Sequence, residues 1–142
     1  MVPVKITIQS ENREIREGPA TFVAFGQLTE KGAATYVRYT ESKVTGMDGT
    51  KTTLKWTDDT LTVIRHGTYE HRQCYERGRN TVFQYRTPYF SVPMCVFTRL
   101  LTTWKGEKRW EVNLDYDMEI DHRPNGSVRL KIVIEEEEIS GH

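Results

Sequence analysis

Residues 110–121 read WEVNLDYDMEID. Trp110, Val112, Leu114, Tyr116, Met118 and Ile120 alternate with Glu111, Asn113, Asp115, Asp117, Glu119 and Asp121. Successive side chains of a strand point to opposite faces, so a strand with one buried face explains this period of two. Arg123-Pro124-Asn125-Gly126 follows, and Asn-Gly between two alternating runs predicts a hairpin turn there. The returning strand carries Val128, Leu130, Ile132 and Ile134 on one face and Arg129 and Lys131 on the other. Its basic residues are expected to pair with the acidic face of the first strand.

The same pattern extends outward in both directions. Val2, Val4, Ile6 and Ile8 form one alternating set, and residues 20–30 (ATFVAFGQLTE) read as another strand. Further strands are expected within 32–42, 50–56, 61–67, 67–77, 80–87 and 89–104, where β-branched and aromatic residues are punctuated by Gly, Pro, Asn and Asp. No helical stripe, repeat or linker interrupts them. Roughly eight to ten short strands without crossover segments predict an all-β protein, either a sandwich or an up-and-down barrel. That number is enough to close a single antiparallel barrel.

With 142 residues, the chain fits one domain, residues 1–142, that holds a core without disulfides or metal. The acidic end, 135–142, extends the last strand or frays from it. Lys+Arg and Asp+Glu are both 20, so the basic excess typical of nucleic-acid binders is missing. Arg65, Arg72, Arg77, Arg79 and Arg86 leave a local nucleic-acid contact as a weak alternative, interrupted by Glu70 and Glu76. The opening MVPVKITIQSENRE turns polar within ten residues and does not read as a signal peptide. No apolar run approaches the ~20 residues of a membrane span. Two cysteines, Cys74 and Cys95, then read as reduced thiols of a cytoplasmic protein.

An ordered series of landmarks points to a family. It runs Tyr36-Val37-Arg38-Tyr39-Thr40-Glu41, a Gly-rich turn, Thr52-Thr53-Leu54-Lys55, Arg65-x-Gly67, Gly78, Tyr85-x-Thr87-Pro88-Tyr89, Thr98 and Leu114-x-Tyr116. From about residue 2 to about residue 136 the chain resembles the YwiB-like family of small bacterial proteins. The resemblance implies a lipocalin-like (calycin) fold, a closed antiparallel β-barrel, and carries no established biochemical function. Phe90 stands where the family pattern usually has Gly, which puts the chain path from Tyr89 to Val92 in question.

RHGTYEHRQCYERG, residues 65–78, is the stretch richest in reactive side chains. On one continuous strand, His66 shares a face with Glu70 and Cys74, and His71 faces the other way with Tyr69, Gln73 and Tyr75. Four residues along a strand span about 13 Å, too far for co-ligation, so no metal site and no cofactor are expected. Which face looks inward is open, and an inward His71 is the feature that would matter. Neither cysteine has a setting that lowers its pKa, and no nucleophile elbow or phosphate loop is present. No catalytic residue is assigned, and the chain reads as non-enzymatic.

Arg65 shares parity with Leu61 and Val63, so it faces inward if they do. A buried guanidinium needs a partner. One reading is a structural clamp with Glu41 at one barrel end; the other is an anchor for a carboxylate or phosphate inside the barrel. Trp56, Phe83, Tyr85, Phe97, Trp104, Trp110, Tyr116 and Met118 either fill the barrel or line a cavity. Arg65, Glu41, Tyr85, Trp104 and Tyr116 are the candidate ligand-binding residues. Pro93 cannot donate to a ladder and predicts an edge or bulge, where an open seam offers a homodimer contact. The leading expectation is a binder of a small apolar or anionic molecule. The runner-up is a filled barrel acting as a protein-interaction module or homodimer, and a continuous pocket of roughly 300 Å³ or more separates the two.

Overall fold

The computed structural model describes residues 1–13 and 18–137, without the side chain of Val44. Ten strands run in chain order: β1 (Val2–Asn12), β2 (Ala20–Lys31), β3 (Ala34–Thr40), β4 (Thr50–Trp56), β5 (Thr60–Gly67), β6 (His71–Glu76), β7 (Asn80–Arg86), β8 (Ser91–Lys105), β9 (Arg109–Ile120) and β10 (Arg123–Glu136). The one helical turn among the described residues is the 3₁₀ segment Lys43–Thr45. All ten strands form one antiparallel sheet ordered β6-β5-β4-β3-β2-β1-β10-β9-β8-β7. Chain neighbours pair throughout except β6 with β7, because the β1–β10 ladder joins the two ends of the meander instead. The result is a nearly closed barrel, consistent with the lipocalin-like architecture expected.

The seam between β6 and β7 is closed by other means. Glu70 and Arg86 exchange backbone hydrogen bonds of 3.1 and 3.2 Å. The Gly78 amide donates to the Thr98 carbonyl at 2.7 Å, and the Thr81 hydroxyl donates to the Cys74 carbonyl. Inside, the His71 ring packs on Phe83 and Tyr85 with centroids 5.7 and 5.1 Å away.

The alternation of 110–121 is observed as expected: Trp110, Val112, Leu114 and Tyr116 are buried along β9. They oppose Ile134, Ile132, Leu130 and Val128 on β10. Outside, Arg129 reaches Asp115 at 3.7 Å and Lys131 reaches Glu111 at 3.9 Å. The hairpin turn is displaced from its predicted place. Asp121 and His122 make it, with φ of 50° and 65°, and β10 has already begun at Arg123. Asn125-Gly126 instead sits where the register shifts between Pro124 and Ser127, a bulge within β10.

Two other expectations are corrected. Pro93 lies inside the sheet, opposite Gln84 of β7, and its carbonyl accepts from Asp121 at 2.9 Å. It marks the end of the β8–β9 ladder, which starts at Met94, and no open seam exists there. Phe90 needs no glycine, since its φ is not positive. The Thr87 hydroxyl accepts from the Tyr89 and Phe90 amides, each at 3.1 Å, and closes the turn. At the acidic end, Glu135 and Glu136 remain in β10 and the Glu137 amide donates to the Pro3 carbonyl at 2.9 Å. Residues 138–142 lie outside the described residues.

The core fills one half of the barrel. At the end where β4 finishes and β9 begins, Trp56, Leu61, Trp110, Leu28, Leu101 and Ile134 are all buried. Burying side chains of this size stabilises by about 1.5–3 kcal/mol each. The other end is not filled.

Candidate functional site

Strand parity decides what faces the unfilled half. On β4 the buried residues are Thr50, Thr52, Leu54 and Trp56. The ladders place Gly26, Tyr39, Thr52, Arg65 and His71 in one row across β2 to β6. Arg65 therefore faces inward with Leu61 and Val63, as its parity required. His71, Gln73 and Tyr75 also face inward, and Arg72 is exposed. The open question about 65–78 is thus answered: His71 is inside.

The stretch is not one strand. β5 ends at Gly67 and β6 starts at His71, so residues 65–78 fold back on themselves. Gly67 permits this with a φ of 128°, and a Cβ there would lie 2.4 Å from the Gly49 carbonyl oxygen. The reversal puts His66 Nδ1 3.1 Å from Glu70 Oε1 on the outside, correcting the ~13 Å separation that a continuous strand implies. On the inside it sets Arg65 opposite His71.

Arg65 Nη1 lies 2.8 Å from His71 Nε2. A guanidinium only donates, so Nε2 accepts and the imidazole proton sits on Nδ1. Burial, reinforced by the Arg65 charge, lowers the His71 pKa to about 4, so the ring is neutral near pH 7. His71 is thus a neutral partner and leaves the Arg65 charge uncompensated.

The expected Arg65–Glu41 clamp does not form. β4 lies between the strands that carry them, separating their backbones by about 10 Å, and the hydrogen bond of Arg65 goes to His71. Glu41 is only 3% exposed. Burial raises its carboxyl pKa, partly offset by the Arg65 charge and by hydrogen bonding from Tyr39. Arg65 Nε, His71 Nδ1 and Glu41 Oε2 are buried without a hydrogen-bond partner. Leaving such atoms unsatisfied costs about 1–3 kcal/mol each.

Arg65 and Glu41 line a cavity of about 570 Å³. One wall is polar: Tyr39 and Glu41, Arg65 on β5, and Gln73 and Tyr75 on β6. Gln73 donates to the Tyr75 hydroxyl, which in turn donates to Tyr116, whose ring centroid is 4.8 Å from that of Tyr75. Burial holds the phenols of Tyr39, Tyr75, Tyr85 and Tyr116 above their ordinary range, so all four are neutral donors. The facing wall is apolar: Ile8, Phe22, Ala24, Met94, Met118 and Leu130.

Four of the five residues proposed from sequence, Arg65, Glu41, Tyr85 and Tyr116, line this cavity. Trp104 does not, being 52% exposed. A bulge between Thr98 and Leu100 shifts the β8 register, so inward positions change from Val96 and Thr98 to Leu101, and Trp104 falls outside. The arginines of 65–86 do not form one surface: Arg65 is inside, Arg77 pairs with Asp59 at 3.0 Å, and Arg79 with Glu76 at 3.3 Å. Sequence reasoning missed Gln73, Tyr75 and Tyr39 as site residues, and named His71 only on the condition that it faced inward. The parity of β6 was legible, but its inward face was not.

The mouth lies where β2 and β3 part. β2 pairs with β1 from Ala20 onward but with β3 only from Gly26. Phe22, Phe25, Ser42, Thr45 and Met47 border the opening.

A nearly closed antiparallel β-barrel, packed at one end and hollow with a polar wall at the other, is the class of protein that fold and site define. Within it, the chain belongs to the family described as "Domain of unknown function (DUF1934)", whose model matches residues 2–132. The crystal structure of the ywiB protein from Bacillus subtilis superposes with a TM-score of 0.81 at 18% identity, covering 96% of this chain and 93% of that one. At that identity the likeness shows the fold. Comparison with curated proteins gives no match.

Proposed function

We propose that this protein is a non-catalytic binder of a small, largely apolar molecule with one polar end, held inside the barrel. The observation that carries this reading is the 570 Å³ cavity with unsatisfied atoms of Arg65 and Glu41 at its wall. A packed core does not leave a cation and an acid unpaired beside empty volume, and drug-sized ligands occupy cavities of about 300–1,000 Å³. The free thiols Cys74 and Cys95 fit a reducing compartment such as the cytoplasm. Native mass spectrometry of protein purified from its own host is the test. A retained adduct of a few hundred daltons that solvent extraction removes is expected; a clean apo mass, with no thermal shift across an amphipathic compound panel, would sink the reading.

A second reading is a protein contact on the outer surface. It rests on the exposed Val82, Tyr89 and Phe90 along β7 and the turn that follows it. Light scattering across a concentration series tests the homodimer form, and a monomer at all concentrations removes it.

A further inference from the structure

We infer that the polar end of the ligand is a single carboxylate, seated between Arg65 and Glu41, with its apolar body against the wall formed by Ile8, Phe22, Ala24 and Leu130. This deepens the cavity reading above and rests on it.

Arg65 is the one Arg or Lys, and Glu41 the one acidic residue, among the described residues that line the cavity. The hydrogen-bond partner of Arg65 is the neutral His71, so the guanidinium faces the cavity without an anion in contact. An unpaired buried charge is costly, and a ligand anion removes that cost. The free Nε–H of Arg65 suits a planar two-oxygen acceptor better than a single carbonyl.

Glu41 then narrows the class. Its Oε2 is buried and unpartnered, and burial favours the protonated carboxyl. Protonated, it donates a hydrogen bond to the incoming carboxylate, and one proton is shared between two acids beside one guanidinium. The cavity then holds one negative charge against one positive. A phosphate monoester brings up to two negative charges and meets an acid instead of a second cation, which disfavours it. A neutral alcohol or ester leaves Arg65 uncompensated.

The groups facing this point are Tyr39 on β3, Arg65 on β5, His71 and Tyr75 on β6, Tyr85 on β7 and Tyr116 on β9. The phenols lie above their ordinary range and His71 below its own. Glu41, whose carboxyl burial pushes above its ordinary value, is therefore the acid on this wall whose proton links ligand binding to pH.

Isothermal titration with decanoate, decyl sulfate, decyl phosphate and decanol provides the test. Wild-type protein is expected to bind decanoate about tenfold or more tighter than decanol or decyl phosphate. Decyl sulfate, a single but tetrahedral anion, should fall between. Arg65→Gln should reduce the decanoate preference over decanol to within about threefold while decanol still binds. Glu41→Gln should keep decanoate binding but lose the weakening that wild type shows as pH rises. Equal affinity for decanoate and decanol, or tighter binding of decyl phosphate, overturns the carboxylate class and leaves the cavity reading standing. Absence of binding by all four probes overturns both. The wild-type comparison decides the matter even if Arg65→Gln fails to fold.

Discussion

Arg65 and His71 oppose each other across the β5–β6 ladder, Nη1 to Nε2 at 2.8 Å, with both side chains inside the barrel. The pair holds the guanidinium in place without neutralising it, and so keeps a positive charge available to the cavity. It also ties the β6–β7 seam to the site, because the His71 ring packs on Phe83 and Tyr85 of β7.

Removing His71 should therefore cost more than its size implies. His71→Ala deletes the acceptor of Arg65 and the ring that packs across the seam, and a loss of about 2–4 kcal/mol is expected. Urea unfolding measures it. A loss below about 0.5 kcal/mol, the level of an ordinary surface substitution, would show that neither contact matters.

The same residue sets a pH dependence. The His71 pKa is lowered from 6.5 to about 4 on folding, so the unfolded chain binds a proton that the folded chain refuses in this window. Stability should be fully present above pH 6.5 and fall as pH drops towards 4, by on the order of 2 kcal/mol after allowing for water near the ring. His71→Phe should flatten this limb of the stability–pH curve. A wild-type curve without that slope would refute the assignment.

Glu41 acts in the opposite sense. Its carboxyl pKa is raised on folding, so the folded state is penalised as pH rises through that value and relieved below 4.5. Glu41→Gln removes the titration, and its stability relative to wild type should improve as pH rises. Thermal unfolding of the two proteins between pH 5 and 9 checks the sign; parallel curves count against a buried, titrating Glu41.

The mouth makes a steric prediction. A Cβ at Gly26 would stand 2.1 Å from the Arg38 carbonyl oxygen, at the first residue where β2 pairs with β3. Gly26→Val should destabilise by about 2 kcal/mol or more through backbone displacement. Circular dichroism melts measure this, and an unchanged midpoint would mean the strands are not in this contact.

The packed and hollow halves should respond differently to truncation. Trp56→Ala in the filled half is expected to cost about 3–5 kcal/mol. Trp104→Ala should cost under about 1 kcal/mol, because Trp104 lies outside over Gly106. Chemical denaturation of both variants tests the division, and equal costs would contradict it.

The sequence alone determined that this chain is a meander of antiparallel strands. An alternation such as that of 110–121 is a local property, imposed by the pleat and readable without knowing any neighbour. It also marked Arg65 as inward, because Leu61 and Val63 are too apolar to face water on the same side. Three things depended on the tertiary structure. Which face of β6 turned inward was undecidable from 71–76, where both faces are polar enough to be wet, and the β5–β6 ladder settled it by aligning His71 with Arg65. The bulge at Thr98–Leu100 reversed the parity of β8 and moved Trp104 outside, since one extra residue in a strand exchanges its faces. The cavity itself was decided by closure. Side chains from all ten strands leave space between them only once the β1–β10 ladder has bent the sheet round, and no stretch of sequence carries the volume that remains.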